Sequence, residues 1–278
     1  LFLFGGIAWD DRPIGVFDSG LGGLTTVREL CRLLPEEDIV YFGDTGRVPY
    51  GSRSRETIVK YARQDVAFLR TFDLKTIVIA CGTVSTTALD VLAAENPIPV
   101  LGVVAPAARA AARATRSGSI GLIGTQASIR SGAYERLIRA ENPAARVLAQ
   151  PCPLFVPLVE NGRFRPGDVV IETVAAEYLA PLKEAGVDTL VLGCTHYPLL
   201  EKVIGAYMGP EVRLINSGAE GARAAADCLR ERDALAGPGR GSCRCFVSDR
   251  QEDFSRLAST FLGWDVAQAV EQVDISQY

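Results

Sequence analysis

The chain has 278 residues, 48 % of them apolar and 22 % charged, with a formal net charge of −4. That is enough chain for one large domain or two of ordinary size, with a sizeable core; the acidic balance argues against a nucleic-acid footprint. No apolar run reaches the ~18–20 residues needed to span a bilayer as a helix.

Residues 1–11 (LFLFGGIAWDD) lack a basic n-region and a small-residue cleavage site, so they do not read as a signal peptide. They are expected to be a leader outside the fold. Short apolar, β-branched runs then predict strands at 13–18, 38–43, 76–81, 98–104, 119–124, 146–150, 189–193, 212–216 and 243–247. Amphipathic stretches predict helices at 53–72, 84–95, 128–141, 166–185, 218–232 and 252–262. Strands that are apolar throughout and separated by helices imply buried parallel strands covered on both faces. The expected fold class is therefore α/β, with mainly parallel sheets. Residues 109–116 set arginines among alanines at helical spacing, which reads as a solvated helix face.

The first strand runs into Asp18-Ser19-Gly20-Leu21-Gly22-Gly23, a glycine-rich turn before a helix. Small residues let backbone N–H groups approach an anion. The loop lacks the Gly-Lys-Ser/Thr of a phosphate loop and the G-x-G-x-x-G of a dinucleotide site. A small carboxylate suits it, with Asp18 as a pairing or proton-handling group or as a helix cap. The loop after the second strand, residues 43–51, carries Asp44 and Tyr50.

A repeat follows. Thr76-Ile-Val-Ile-Ala-Cys81-Gly82-Thr83 resembles Thr189-Leu-Val-Leu-Gly-Cys194-Thr195-His196, 113 residues later. Each is a buried strand ending at a cysteine with a hydroxyl residue close behind. Ligands of open α/β sheets bind at that end of the strands. A cysteine is often only a small buried hydrophobe, but two at matching points of a repeat, each with polar neighbours, point to chemistry.

The remaining residue inventory narrows the choices. Only four of the 29 basic residues are lysine, none in a site-like context, which disfavours a Schiff-base cofactor. His196 is the single histidine. Seven cysteines, an odd number at irregular spacing with no C-x-x-C, argue for reduced cytosolic thiols over a disulfide framework, and Cys243-Arg-Cys245 fits a strand. Cys81, Cys194 and His196 would make three soft metal ligands, but a paired arrangement suits proton transfer better. One thiol takes a proton from an sp3 carbon, the other returns one to the opposite face, and the configuration inverts. Such a site needs no cofactor or metal.

The residues carrying these arguments resemble bacterial glutamate racemases of the aspartate/glutamate racemase superfamily. The likeness runs from about residue 12 to 261. It is carried by F-D-S-G-L-G-G at 17–23, P-Y-G at 49–51, C-G-T at 81–83 and G-C-T-H-Y-P at 193–198, with support from 123–134 and 157–160. The resemblance implies two pseudo-symmetric α/β domains, one of residues 12–105 plus 214–278 and one of 106–213, with the active site in the cleft between them. It implies cofactor-independent interconversion of L- and D-glutamate in the cytoplasm, supplying D-glutamate for peptidoglycan. Cys81 and Cys194 would be the acid/base thiols. Asp18 would assist Cys81; His196, oriented by Glu160, would assist Cys194. Asp44 would stand behind the site. Asp18, Ser19, Tyr50, Gly51, Gly82, Thr83, Thr125, Thr195 and His196 would contact substrate. A homodimer is expected, membrane and nucleic acid are not, and DNA gyrase is a partner only by analogy with some relatives.

One position departs from that pattern. The family has Cys-Asn-Thr where this chain has Cys81-Gly82-Thr83. Losing a hydrogen bond to a charged ligand costs about 1.5–3 kcal/mol. Gly82 is therefore expected to leave a weakened or retuned enzyme, and Gly82→Asn to raise kcat/KM for glutamate. Two other readings stand beside the glutamate racemase: a racemase of aspartate or another amino acid, and a binding protein on the same scaffold.

Overall fold

The computed structural model describes residues 9–264 and 270–278. Ten strands lie among the described residues: β1 (Ile14–Asp18), β2 (Ile39–Gly43), β3 (Thr76–Ile79), β4 (Val100–Gly102), β5 (Ser119–Gly124), β6 (Arg146–Pro151), β7 (Thr189–Leu192), β8 (Arg213–Asn216), β9 (Cys243–Val247) and β10 (Val270–Gln272). The helices are α1 (Leu24–Leu33), α2 (Arg55–Leu69), α3 (Gly82–Thr87), α4 (Leu89–Glu95), α5 (Val104–Ala114), α6 (Gln126–Ser131), α7 (Ala133–Glu141), α8 (Phe155–Glu160), α9 (Val169–Glu184), α10 (Glu201–Met208), α11 (Ser217–Glu231) and α12 (Gln251–Leu262).

The strands form two sheets, β10-β9-β2-β1-β3-β4 and β6-β5-β7-β8, and every pairing is parallel. This is the α/β architecture that the apolar strands predict. The two sheets share one topology, since the order β2-β1-β3-β4 repeats as β6-β5-β7-β8.

Strand β1 shows why its sequence is apolar throughout. Ile14 and Val16 pack with Leu24, Val27 and Leu30 of α1 on one face. Phe17 packs with Val66 and Phe68 of α2 on the other. A strand covered on both faces buries its side chains on both, so the apolar/polar alternation disappears and the polar Asp18 stands only at the strand's end. In α5, Ala107, Ala108, Ala111 and Ala112 are buried while Arg109 turns outward to Glu141, as the arginine–alanine pattern predicts. Among the described residues no helix is long and apolar enough to cross a membrane.

Several expectations are corrected. The run 98–104 stops as a strand at Gly102, because Val104 opens α5 with Pro106 in its first turn, where no intrahelical N–H is required. The expected helix 84–95 begins at Gly82 and divides at Ala88. There the Thr86 and Thr87 hydroxyls both donate to the Thr83 carbonyl, competing with the helix's own bonding. The expected helix 128–141 divides at Gly132, whose φ is +62°. Strand β10 has no apolar run to announce it; it is a three-residue edge strand, largely exposed.

The leader also needs correction. Residues 1–8 lie outside the described residues, but the Asp10 N–H donates to the Leu235 carbonyl and the Gly237 N–H to Asp11. The Asp10 carbonyl accepts from Lys75 Nζ at 2.6 Å. That ammonium is buried and paired with the equally buried Glu37, whose Oε1 accepts from the Ala236 N–H. Residues 9–11 thus complete the coordination of a buried charge, where an unpartnered group would be costly.

Candidate active site

The repeat of topology places two chemically similar points face to face. In the order β2-β1-β3, the connections after β1 and β3 leave toward opposite sides, and β6-β5-β7 repeats this after β5 and β7. A crevice opens at the carboxyl ends of such strands. The register repeats as well, since Phe17 pairs with Ile79 and Ile123 pairs with Leu192. Each cysteine then stands two residues beyond the last pair, level with Ser19 in one sheet and Thr125 in the other.

Cys81 and Cys194 line a single cavity of about 380 Å3, at the small end of the ~300–1,000 Å3 usual for ligand pockets. Ser19, Tyr50, Gly51, Gly82, Thr83, Thr125, Glu160, Thr195 and His196 line it too. Asp18 and Asp44 are fully buried and do not belong to its lining. Of the described residues around the cavity, His196 is the one able to carry positive charge, with no lysine or arginine among them.

The Cys81 thiol is buried, and that burial together with the charge of Asp18 pushes its pKa up to about 12. Ser19 Oγ, 3.3 Å from its sulfur, and the Val84 N–H work in the other direction. Cys194 has a different neighbourhood. Its sulfur lies 3.9 Å from His196 Nδ1, and His196 Nε2 meets Glu160 Oε1 at 2.9 Å. Burial disfavours the charged imidazole, but the hydrogen bonds to Cys194 and Glu160 outweigh it and raise the pKa of His196 to about 10. Glu160 reaches the ring from the last residue of α8. Phe261 of α12 packs edge-on against the same ring at 5.5 Å.

The Asp18 carboxyl accepts from the Gly20 N–H at 3.0 Å and from Thr195 Oγ1 at 3.4 Å. It therefore ties the β1 loop to the β7 loop across the cleft. Burial pushes its pKa up, against the pull of His196 and of the Gly23 and Gly20 N–H groups. Thr25 Oγ1 donates to the Thr195 carbonyl nearby. Gly22 lies so close to Thr195 and His196 that a Cβ there would collide with both. On the opposite rim, the Thr83 and Thr125 hydroxyls meet at 3.0 Å, and the Ala127 N–H donates to the Gly51 carbonyl.

Tyr50 lines the cavity, but its hydroxyl is turned into a buried carboxylate cluster. It donates to Asp44 and to Asp65 Oδ2. Arg47 donates to Asp44, to Gln64 and to Asp65, and its guanidinium stacks 4.3 Å over the Tyr61 ring. Burial, reinforced by the neighbouring Asp44 charge, raises the pKa of Asp65 well above the usual carboxylate range. This network holds the 44–51 loop, whose Val48–Gly51 stretch forms one wall.

Asp65 and Arg47 did not emerge from the sequence. A signal existed: Asp65 lies on the buried face of α2 with Ile58, Ala62 and Leu69. Cys152 is a third thiol of the cavity, beside Pro153, Val156 and Pro157. It follows β6 as Cys194 follows β7, and that strand-end position was its signal. Cys81, Cys194 and His196, weighed above as soft ligands, do not form a metal-holding group; none of three or more such side chains exists among the described residues.

The expectation that Gly82→Asn would improve the site meets a steric obstacle. A Cβ at Gly82 would lie 2.5 Å from the Gly193 carbonyl oxygen, a backbone atom of the other half. There is no room for an asparagine in this arrangement.

Comparison with known proteins agrees with this geometry. The Asp/Glu/Hydantoin racemase family matches residues 17–225. A glutamate racemase of Geobacter metallireducens is 49 % identical over 253 residues, 91 % of this chain and 93 % of that one. The crystal structure of glutamate racemase isoform RacE1 from Bacillus anthracis superposes with a TM-score of 0.90 at 39 % identity, covering 95 % of this chain and 97 % of that one. A Francisella tularensis glutamate racemase solved in complex with D-glutamate gives a TM-score of 0.89 at 37 % identity, covering 97 % and 100 %.

Proposed function

The chain belongs to the Asp/Glu/Hydantoin racemase family, and on that footing we propose that it interconverts L- and D-glutamate without a cofactor, through proton transfer by Cys81 and Cys194, supplying D-glutamate for peptidoglycan. The observation that carries this reading is the placement of both thiols, at equivalent register positions of two like sheets, on one small cavity.

The chemistry follows from the neighbours of each sulfur. In one direction Cys194, as thiolate beside the His196 imidazolium, takes the α-proton. Cys81, as thiol, gives its proton to the opposite face of the same carbon. The turnover leaves Cys194 protonated and Cys81 as thiolate, and the reverse reaction restores the start. Charge developing on the substrate's α-carboxylate is met by donors rather than by a lysine or arginine: the hydroxyls of Ser19 and Thr83 and the backbone N–H groups of the strand-end loops. Donors fixed in place before the reaction stabilise a developing anion most effectively. Asp18 would hold the two loops in register through Thr195, and Glu160 would hold His196.

The test is circular dichroism of L- and D-glutamate incubated with the reduced enzyme, beside a panel including aspartate and alanine. Loss of optical activity from either glutamate enantiomer, faster than from any other amino acid, is the expected result. Racemisation of aspartate alone, or of nothing in the panel, would refute the assignment.

A further inference from the structure

Resting on the racemase reading above, we infer that the contact between Gly82 and Gly193 is the spacer that sets the separation of the two thiols, making Gly82 a positioning residue of the reaction. Gly82 is the residue after Cys81, and Gly193 is the residue before Cys194. The two meet backbone to backbone across the cleft: a Cβ on Gly82 would come within 2.5 Å of the Gly193 oxygen and 3.5 Å of its carbonyl carbon.

Neither side of this contact can yield locally. The Gly193 N–H is bonded to the Ile123 carbonyl at 2.8 Å, which fixes it to β5 of its sheet. A Cβ on Gly193 would in turn meet that carbonyl at 2.7 Å and the Tyr134 ring at 3.4 Å. On the facing side, the Ala80 N–H is bonded to the Phe17 carbonyl at 2.9 Å, so the chain leading into Cys81 is fixed to β1. The Cys81 carbonyl accepts from the Ser85 N–H at 2.9 Å, holding the start of α3. Ordinary van der Waals contact begins at 3.4 Å. A methyl group at position 82 must therefore move one half away from the other, and the displacement falls on the residues adjoining both sulfurs.

Proton transfer from carbon tolerates little of this. A misplacement on the order of 1 Å can cost about 100-fold in rate.

The experiment compares the full chain with Gly82→Ala and Gly82→Asn, measuring kcat and KM for both glutamate enantiomers and the primary isotope effect with 2-deuterioglutamate. Gly82→Ala is expected to lower kcat about 100-fold with KM changed far less and the isotope effect undiminished. Gly82→Asn is expected to fall at least as far. Either variant keeping the wild-type kcat, a loss confined to KM, or a higher kcat/KM in Gly82→Asn would overturn the inference. A crystal structure of the wild-type chain with D-glutamate decides the matter independently of how the variants fold. Gly82 packed on the Gly193 carbonyl without space for a Cβ supports the spacer, and a gap admitting a Cβ at 3.4 Å or more contradicts it. A wild-type chain inert toward glutamate would instead refute the racemase reading, an outcome distinct from either of these.

Discussion

Cys81→Ala and Cys194→Ala should each lower racemisation of glutamate on the order of 10,000-fold, the upper range for loss of a positioned acid or base. The reason is that, on the proposed mechanism, the two thiols act in series within one turnover. Removing either leaves the α-carbon with no proton acceptor on one face or no donor on the other. The side chains are small and buried, so alanine removes one sulfur and little packing. The assay is the circular dichroism change from each enantiomer, with the unfolding midpoint of each variant as a control. Activity within about tenfold of wild type in either variant would show that the missing sulfur carries no proton.

His196→Asn should lower kcat/KM by about 100- to 10,000-fold, because the imidazole is the polar group facing the Cys194 sulfur from its own loop. The pH dependence makes this more specific. The folded-state pKa of His196 is raised to about 10, so the imidazolium is present throughout the neutral range and is lost as pH rises through that value. The ordinary histidine pKa is about 6.5. The stabilisation that its partners give the fold is accordingly complete below pH ~6.5 and disappears as pH climbs past 10. The kcat/KM profile should show an alkaline limb near pH 10 and no break from this residue near 6.5. Glu160→Gln keeps an acceptor but removes the negative charge that helps to raise the value, and the limb should move to lower pH. A limb that stays in place in Glu160→Gln would mean that Glu160 does not act through His196.

What was legible in the sequence was whatever the chain repeats or keeps local. The two cysteine-terminated strands match in sequence, and because Phe17/Ile79 and Ile123/Leu192 use one register, equal spacing along the chain becomes equal position in space. The His196–Cys194 contact spans two residues and was visible for the same reason. Contacts that close only through the fold were not visible. Asp65 meets Tyr50 and Arg47 across 15 and 18 residues, and nothing in the loop around Tyr50 shows that its hydroxyl turns toward α2 instead of the substrate. Gly82 is the sharpest case. From the sequence it reads as a lost hydrogen-bond donor, because the space available to a side chain depends on a carbonyl 111 residues away. Element ends were blurred where side chains compete with the backbone, as Thr86 and Thr87 do near Ala88, or where a strand is too short to carry a pattern, as in β10.

Two different sulfurs handling the outgoing and the incoming proton would leave their mark in the first-turnover isotope pattern in D2O. L-Glutamate with protium at Cα is mixed with the reduced enzyme in D2O, and both enantiomers are separated early and examined by proton NMR and mass spectrometry. Two thiols on opposite faces predict D-glutamate that carries deuterium from the outset, while the recovered L-glutamate still carries protium. D-Glutamate that retains the original protium, accompanied by deuterium in the recovered L-glutamate, would mean that one group serves both faces and would contradict the assignment of Cys81 and Cys194.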